Sequence, residues 1–187
     1  MISESHNVLV LLSGGIDSSA CITYYLSQKF SVQALFVDYG QVAAQREFSA
    51  AFKISNYYDI ILNKVTATGF NKWSGGYIPG RNAFLLYTAL MSFSRDTGII
   101  AIGIHAGTSY SDCSELFIHK LQSSFDLYTD GCIQIGVPFV TWNKRSIWSY
   151  CNAKEVPLDL TYSCELGEEP PCGRCSSCKD LEALRAG

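Results

Sequence analysis

The chain has 187 residues and a mass of 20.6 kDa, enough for one domain of ordinary size with a real hydrophobic core. With 48% hydrophobic and 17% charged residues, its composition argues against global disorder. The net charge is −3 and no basic stripe runs along the sequence. A large nucleic-acid footprint is therefore not indicated, although a small basic pocket is compatible with this charge.

The N-terminal segment has no positively charged region, and the apolar run that follows it is too short for a signal peptide. No stretch is long and apolar enough to span a membrane. We therefore expect a cytoplasmic protein in a reducing compartment. Its eight cysteines are then better explained by metal binding or chemistry than by disulfides.

Short apolar runs alternate along the chain with segments of helical spacing. The predicted strands lie at 8–12, 32–37, 57–62, 98–103 and 132–137, and the predicted helices at 20–26, 42–52, 82–93, 111–125 and 144–151. Residues 63–80 are expected to form a loop. The alternation indicates one α/β domain over 1–187, with a parallel sheet covered by helices on both faces. In such a sheet, ligands bind at the carboxyl ends of the strands.

The sequence Ser-Gly-Gly-Ile-Asp-Ser-Ser at 13–19 joins the first predicted strand to the first predicted helix. Backbone N–H groups in a glycine turn bind anions together with the positive end of the helix dipole. The serine hydroxyls can donate hydrogen bonds, and the aspartate can cap the helix or help hold a divalent ion. An ordinary strand–helix turn is the alternative. The predicted phosphate contacts are Ser13, Gly14, Gly15, Asp17, Ser18 and Ser19.

The end of the second predicted strand lies on the same rim of the sheet. Phe36 and Val37 offer backbone and apolar contacts to an adenosine. Asp38 follows them, and it either bonds a ribose or caps the next turn.

Two cationic side chains stand at predicted helix starts. Arg81 follows a Pro-Gly turn beside Asn82, the predicted helix cap, and Lys144 is the first residue of the last predicted helix. A cation is unfavourable at the positive end of a helix dipole unless an anion binds there. Both side chains are therefore predicted anion ligands, with a solvated surface position as the alternative.

Four cysteines lie within the tail segment 164–178, at Cys164, Cys172, Cys175 and Cys178. Four thiolates at this spacing can converge on one tetrahedral ion and leave no open position, so the metal is expected to be structural. Zinc is the first choice, and a [4Fe–4S] cluster also takes four cysteines. Cys113 falls on the predicted rim. The remaining three cysteines are expected to be buried small hydrophobic residues: Cys21, Cys132 and Cys151.

These motifs resemble those of the 7-cyano-7-deazaguanine synthase family, a branch of the PP-loop ATP pyrophosphatases. The resemblance runs from residue 8 to residue 184. It is carried by the Ser-Gly-Gly-x-Asp-Ser loop at 13–18, Phe-Val-Asp-Tyr-Gly-Gln at 36–41 with Glu47 downstream, Tyr-Ile-Pro-Gly-Arg-Asn at 77–82, the Asp112-Cys113 pair, Lys144 and the four tail cysteines. The motif at 77–82 and the cysteine tail are the most specific of these.

The resemblance implies a Rossmann-like, adenine nucleotide alpha hydrolase-like fold and an ATP-dependent ligase. Its members adenylate the carboxylate of 7-carboxy-7-deazaguanine and couple it to ammonia, giving the amide and then, with more ATP, the nitrile. ATP, Mg²⁺ and Zn²⁺ are the implied cofactors, and a homodimer is the implied assembly. The implied catalytic residues are Asp17, Arg81 and Lys144. The implied substrate contacts are Tyr39, Gln41, Arg81, Asn82, His105 and Asp112.

One loop departs from the family pattern. At 103–114 it is two residues shorter than in the family, lacks the earlier carboxylates and has Ser114 where an arginine is expected. The first adenylation is therefore expected to be retained and the substrate wall to be changed, and whether the second stage is retained stays open. A ligase that stops at the amide, or joins the acyl group to an amine on a protein or nucleic-acid partner, is the first alternative.

Two other classes of function share these motifs. A PP-loop tRNA sulfur transferase would use Cys113 as its sulfur carrier, and the acidic charge balance argues against it. A non-catalytic nucleotide-binding scaffold is the other class, and the intact loop at 13–18 argues against that.

Overall fold

The computed structural model describes residues 7–70 and 77–186. The N-terminal segment 1–6, and residues 71–76 of the predicted loop, lie outside the described residues. The strands are β1 (Asn7–Leu11), β2 (Ser31–Asp38), β3 (Leu62–Thr66), β4 (Gly98–Ala101) and β5 (Ile133–Gly136). The helices are α1 (Ile16–Ser27), α2 (Ala44–Tyr57), α3 (Arg81–Ser92), α4 (Glu115–Thr129), α5 (Lys144–Ala153) and α6 (Ser176–Ala186).

The five strands form one parallel sheet in the order β3-β2-β1-β4-β5. From the central β1 the chain moves outward through β2 and β3, then returns to the other side of β1 for β4 and β5. The loops that leave β1 and β4 therefore diverge, which opens a crevice at the carboxyl ends of these two strands. This crevice is where a doubly wound sheet binds its ligand.

Helices cover both faces of the sheet, as the sequence predicts. In β1, Val8 and Val10 point into one core and Leu9 and Leu11 into the other, because successive strand residues alternate between faces. The first core is completed by α1, α2 and α5, and the second by α3 and α4. Burying each of these aliphatic side chains contributes about 1.5–3 kcal/mol, so β1 is firmly anchored beside the crevice.

The third strand is displaced from its predicted position. The prediction of 57–62 is wrong, because α2 continues to Tyr57 and the strand is Leu62–Thr66, in the predicted loop. This strand pairs only with β2, from Ala34↔Leu62 to Asp38↔Thr66. An edge strand leaves much of its side-chain surface in water, so its sequence lacks the apolar run on which the prediction relied.

Two features of the loops and the tail also differ from expectation. Cys132 is exposed in the turn before β5, so its prediction as a buried residue is wrong, whereas Cys21 and Cys151 are buried as predicted. The tail ends in a helix, α6, which no sequence signal indicated and which buries Leu184. Within the described ranges, no helix combines the length and apolar character needed to cross a membrane.

Candidate active site

The glycine loop leads directly from β1 into α1. Gly15 is the N-cap residue of α1, and Gly14 has a left-handed φ of +82°. Ser18 Oγ donates to the Gly15 carbonyl at 3.0 Å and lies 3.1 Å from Ser13 Oγ. Ser19 is fully buried and its Oγ donates to the same carbonyl at 2.8 Å, so this side chain supports the loop from behind. Ser13 is the exposed member of the set.

Neighbouring backbone packs closely against the glycine loop from two sides. A Cβ on Gly14 would lie 2.5 Å from the Glu47 carbonyl oxygen in α2. A Cβ on Gly103, in the loop after β4, would lie 2.8 Å from the carbonyl carbon of Asp17. Only glycine allows such close contacts. Together the two contacts hold the glycine loop between α2 and the loop that follows β4.

A charged cluster lies where α1 and α5 begin. Lys144, the first residue of α5, places Nζ 2.5 Å from Asp17 Oδ2, and His105 Nε2 lies 3.8 Å from the same oxygen. No side chain caps α1, so Asp17 does not cap the helix and belongs instead to this charged cluster. Its Oδ1 is buried without a hydrogen-bond partner among the described residues. Two helix N-termini thus meet at one point and favour an anion there.

His105 is buried beside this ion pair. Its Nδ1 accepts a hydrogen bond from the Gly107 N–H at 3.0 Å, so the proton of the neutral ring lies on Nε2. Burial lowers the pKa of His105 below its ordinary 6.5, Asp17 opposes that shift, and Lys144 adds to it. At neutral pH the uncharged ring therefore presents an N–H donor to the cluster.

A second polar cluster forms where β2 ends. Gln41 Nε2 donates to Glu47 Oε2 at 2.9 Å, and Gln41 Oε1 accepts the Tyr39 N–H at 2.9 Å. The Arg81 guanidinium is close enough to attract both Tyr39 and Glu47 electrostatically. Burial nevertheless raises the pKa of Glu47 above its ordinary 4.5, against the lowering effects of Gln41 and Arg81. Tyr39, Gln41 and Arg81 were predicted as site residues, and the fold brings them together.

Replacing Glu47 with glutamine is expected to stabilise the protein near neutral pH. Because the folded-state pKa is raised, the contribution of Glu47 is fully present below its unfolded pKa, near 4.5, and is lost as the pH rises. An amide does not ionise, so the variant avoids this loss. Urea unfolding should show a gain near neutral pH that shrinks toward pH 4.5. The control is Glu182→Gln at an exposed position of α6. An equal pH-dependent gain in this variant would contradict the effect of burial that we assign to Glu47.

Asn82 does not cap α3, contrary to the prediction. The helix begins at Arg81 after Gly80, whose φ of +78° turns the chain. Asn82 is instead buried, and its Nδ2 donates to the Asp112 carbonyl at 3.1 Å. Asp112 is only 6% exposed, and its Oδ1 has no hydrogen-bond partner within the part of the chain that the structure describes. This buried acceptor is suited to a ligand that carries N–H donors.

Cys113 lines a cleft of about 460 Å³ together with Thr108 and Tyr110. Burial raises the pKa of Cys113, which keeps the group a thiol at neutral pH. A thiol is a poor nucleophile compared with a thiolate, so this environment does not favour the predicted alternative in which Cys113 carries sulfur.

Asp38, the last residue of β2, is bonded to protein groups close to it. Asp38 Oδ1 accepts the Gly40 N–H at 3.2 Å, and Oδ2 pairs with Lys64 Nζ at 2.9 Å. The hydrogen bond from Lys64 is the main reason that the pKa of Asp38 is lowered. Of the two predicted roles, this geometry matches the turn cap. Phe36 and Val37 are buried in the sheet, so their contact with a ligand at this rim would be through the backbone.

The four tail cysteines form a separate cluster. All four Sγ atoms of Cys164, Cys172, Cys175 and Cys178 lie within 4.8 Å of one another. Four sulfurs at about 2.3 Å from one zinc ion stand about 3.8 Å apart, so little movement is needed to bind the metal. Glu165 accepts hydrogen bonds from Ser177 N at 3.2 Å and Ser177 Oγ at 2.7 Å, which attaches the start of α6 to the loop. The predicted convergence of the cysteines is confirmed.

Replacing Cys175 with serine is expected to abolish stoichiometric metal binding and lower the unfolding temperature. Three thiolates bind a structural metal much more weakly than four, and metal-binding free energy contributes to folding free energy. Elemental analysis of purified protein, run with thermal unfolding, measures both effects and identifies the metal. Cys132→Ser is the matched control, since Cys132 is exposed and outside the cluster. Metal content that stays at the wild-type level in Cys175→Ser would refute the site.

The parallel sheet and the glycine loop after β1 are those of a Rossmann-like, adenine nucleotide alpha hydrolase-like protein. Among solved structures, the chain is similar to NMN synthetase from Francisella tularensis, with a TM-score of 0.53, 15% identity, and coverage of 97% of this chain and 77% of that one. It is also similar to the U34-tRNA thiolase NcsA from Methanococcus maripaludis, solved with its [4Fe-4S] cluster, with a TM-score of 0.53, 14% identity, and coverage of 99% and 73%. At such identities these likenesses concern the fold alone.

Sequence comparison defines the family. The family model described as "Queuosine biosynthesis protein QueC" matches residues 7–76 and 71–185. A protein from Prochlorococcus marinus named 7-cyano-7-deazaguanine synthase is 30% identical, with coverage of 96% of this chain and 93% of the relative. One of the same name from Microcystis aeruginosa is 29% identical, with coverage of 96% and 91%. The chain belongs to the QueC family.

Proposed function

We propose that this chain is an ATP-dependent carbon–nitrogen ligase that converts 7-carboxy-7-deazaguanine and ammonia to 7-cyano-7-deazaguanine through the amide. The observation that carries the proposal is the meeting of the glycine loop, Asp17, His105 and Lys144 at the crevice of the sheet. The names of the QueC relatives favour this activity over the conjugating and sulfur-transferring alternatives. Residues 1–187 act as one PP-loop domain, with 164–178 as its zinc-binding segment.

The first stage activates the carboxylate. A carboxylate oxygen attacks the α-phosphorus of ATP, the bond from that phosphorus to the bridging oxygen breaks, and pyrophosphate leaves. In our proposal, the glycine-loop N–H groups and Ser13 hold the phosphates, while Lys144 neutralises their charge. An ammonium group has three donors, so Lys144 can contact a phosphate and keep Asp17 as its partner.

Attack by ammonia completes the first stage, and dehydration of the resulting amide is the second. Ammonia attacks the acyl carbon, AMP leaves, and the nitrogen loses a proton to give the amide. The amide oxygen then attacks the α-phosphorus of another ATP and pyrophosphate leaves, after which loss of AMP and of the N–H protons gives the nitrile. No protein nucleophile is required, so catalysis consists of positioning and charge stabilisation.

We assign the deazaguanine to the rim beside Arg81, Asn82 and Asp112. A guanine-type ring presents N–H donors along one edge, and the buried Asp112 Oδ1 has no hydrogen-bond partner among the described residues. Asn82 holds the Asp112 backbone at 3.1 Å, which fixes the position of that acceptor. Arg81 stands at the start of α3, where its charge suits the carboxylate or a phosphate oxygen.

Two metals accompany this proposal. The four thiolates fit Zn²⁺ in a structural role, and unpaired thiols are kept reduced in the cytoplasm, which we propose as the location. Asp17 fits Mg²⁺, because its Oδ1 is a buried carboxylate oxygen with no hydrogen-bond partner in the described part of the chain. Mg²⁺ bound with ATP supplies charge neutralisation for the phosphates.

The test is to incubate the protein with Mg-ATP, 7-carboxy-7-deazaguanine and ammonium and to weigh the products by mass spectrometry. We expect the nitrile, with AMP and pyrophosphate released. Accumulation of the amide alone would favour the first alternative, a ligase that stops at the amide. No AMP with the acid present would overturn the proposed function.

A further inference from the structure

The cysteine loop lies against the glycine loop, although 150 positions separate Gly14 from Cys164 in the sequence. The Tyr162 N–H donates to the Gly14 carbonyl at 2.9 Å. The Tyr162 hydroxyl donates to the Glu168 carbonyl, inside the cysteine loop, at 2.8 Å. One residue therefore bonds to both loops, through its backbone on one side and its side chain on the other.

The hydrogen bond to Gly14 determines which way the next amide points. In a planar trans peptide, the carbonyl of one residue and the N–H of the next point in opposite directions. Because Tyr162 engages the Gly14 carbonyl on the tail side, the Gly15 N–H points to the opposite side, toward Ser13 Oγ at 3.4 Å. That contact is long for a hydrogen bond, so this N–H keeps most of its capacity for an anion.

A second close contact, between Gly167 and the backbone just before α2, holds the cysteine loop in place. Gly167 has a left-handed φ of +67°, and a Cβ there would lie 3.0 Å from the Val42 carbonyl oxygen and 3.2 Å from Ala43 Cα. The Arg46–Glu169 ion pair, at 3.4 Å, joins the first turn of α2 to the same loop. The loop at 164–178 therefore rests on the start of α2, and the backbone of Glu47 in the same helix lies close to Gly14.

We propose that Tyr162 is a positioning residue for ATP: its N–H orients the Gly14–Gly15 peptide so that the Gly15 N–H faces the phosphates, and the metal-closed cysteine loop holds Tyr162 there. This inference rests on the proposed nucleotide site and extends it. The cysteine cluster does not contact the nucleotide. It affects nucleotide affinity because it holds Tyr162 in place.

The test compares three variants of Tyr162 in the metal-loaded full-length chain. Tyr162→Pro removes the N–H, and Thr161, with φ −78° and ψ 153°, already has the conformation that precedes proline. Tyr162→Ala also loses the side chain but keeps the N–H, so the pair isolates the backbone hydrogen bond. Tyr162→Phe removes only the hydroxyl. Its control is Tyr128→Phe, at an exposed position of α4.

Affinity is measured with α,β-methylene-ATP, which resists cleavage at the bond that the reaction breaks. We expect Tyr162→Pro to bind it about fivefold more weakly than Tyr162→Ala, the effect of about one hydrogen bond. Turnover should show a raised KM for ATP with kcat little changed, while metal content stays at the wild-type level. Tyr162→Phe should weaken binding less, and Tyr128→Phe not at all.

Equal affinities of folded, metal-loaded Tyr162→Pro and Tyr162→Ala would overturn the inference and leave the proposed function intact. If Tyr162→Pro does not fold, Tyr162→Phe decides: unchanged analogue affinity with unchanged metal content refutes the link to the cysteine loop. A wild-type protein that does not bind the analogue would refute both the inference and the proposed nucleotide site.

Discussion

Replacing Lys144 with alanine is expected to lower the rate of carboxylate adenylation by about 10²–10³-fold, the usual effect of removing one preorganised electrostatic contact. Lys144 Nζ lies 2.5 Å from Asp17 Oδ2, where α1 and α5 begin. Pyrophosphate accumulates negative charge as it leaves, and the lysine is the cation that the fold holds at the glycine loop. The rate is measured as pyrophosphate released from Mg-ATP and the acid, at saturating ATP.

Arg145→Ala is the matched control for this substitution. Arg145 is the next residue, is exposed, and carries the same charge. Its removal should leave adenylation near the wild-type rate, since a surface charge in water acts weakly on the site. Equal rates for the two variants would show that Lys144 has no specific role. A thermal unfolding curve for each variant confirms that any loss is not loss of fold.

The second large effect is expected from Gly14→Ala, which should abolish tight nucleotide binding and destabilise the fold. Holding alanine at a φ of +82° costs about 1–2 kcal/mol. The added Cβ would also lie 2.5 Å from the Glu47 carbonyl oxygen, which is backbone and cannot swing aside. Relieving that overlap should cost about 1–3 kcal/mol more and should move the loop away from the shape that we propose binds phosphate.

Gly131→Ala separates the backbone cost of a positive φ from the cost of the steric overlap. Gly131 lies in the turn between α4 and β5 and has a φ of +74°, but a Cβ there would meet nothing within 4 Å. It should show only the backbone cost in urea unfolding, and it should bind α,β-methylene-ATP as the wild type does. If Gly14→Ala matched Gly131→Ala in both measurements, the close packing of α2 against the loop would be irrelevant to the site.

Much of the site could be predicted because its motifs are local. The loop at 13–19 carries its glycines, hydroxyls and aspartate within one turn, and the four cysteines of 164–178 lie close enough in sequence to converge on one ion. Lys144 was predicted because a cation at a helix start is electrostatically unusual. The strands β1, β2 and β4 were recognised because central parallel strands are continuously apolar, and the edge strand β3 was misplaced because its sequence, Leu-Asn-Lys-Val-Thr, is not.

Other parts of the site could not be predicted because they depend on which distant segments meet. Asn82 looked like a helix cap, and only packing of the loop around Asp112 against α3 shows that it holds that loop instead. The Glu47–Gln41 hydrogen bond and the pairing of Asp38 with Lys64 likewise need α2 and β3 in place. Lys64 carries no signal in the sequence beyond an ordinary surface lysine.

The sequence alone predicted the chemistry: a glycine loop suited to anions, a lysine at a helix start, a four-thiolate cluster and the motifs of the QueC family. These depend on residue types and short spacings, which the chain carries in any conformation. The tertiary structure decided the geometry, above all the contact from Tyr162 to Gly14. That contact uses a backbone N–H and a backbone carbonyl, groups that nearly every residue has, so no side-chain pattern records it and only the folded chain can select it.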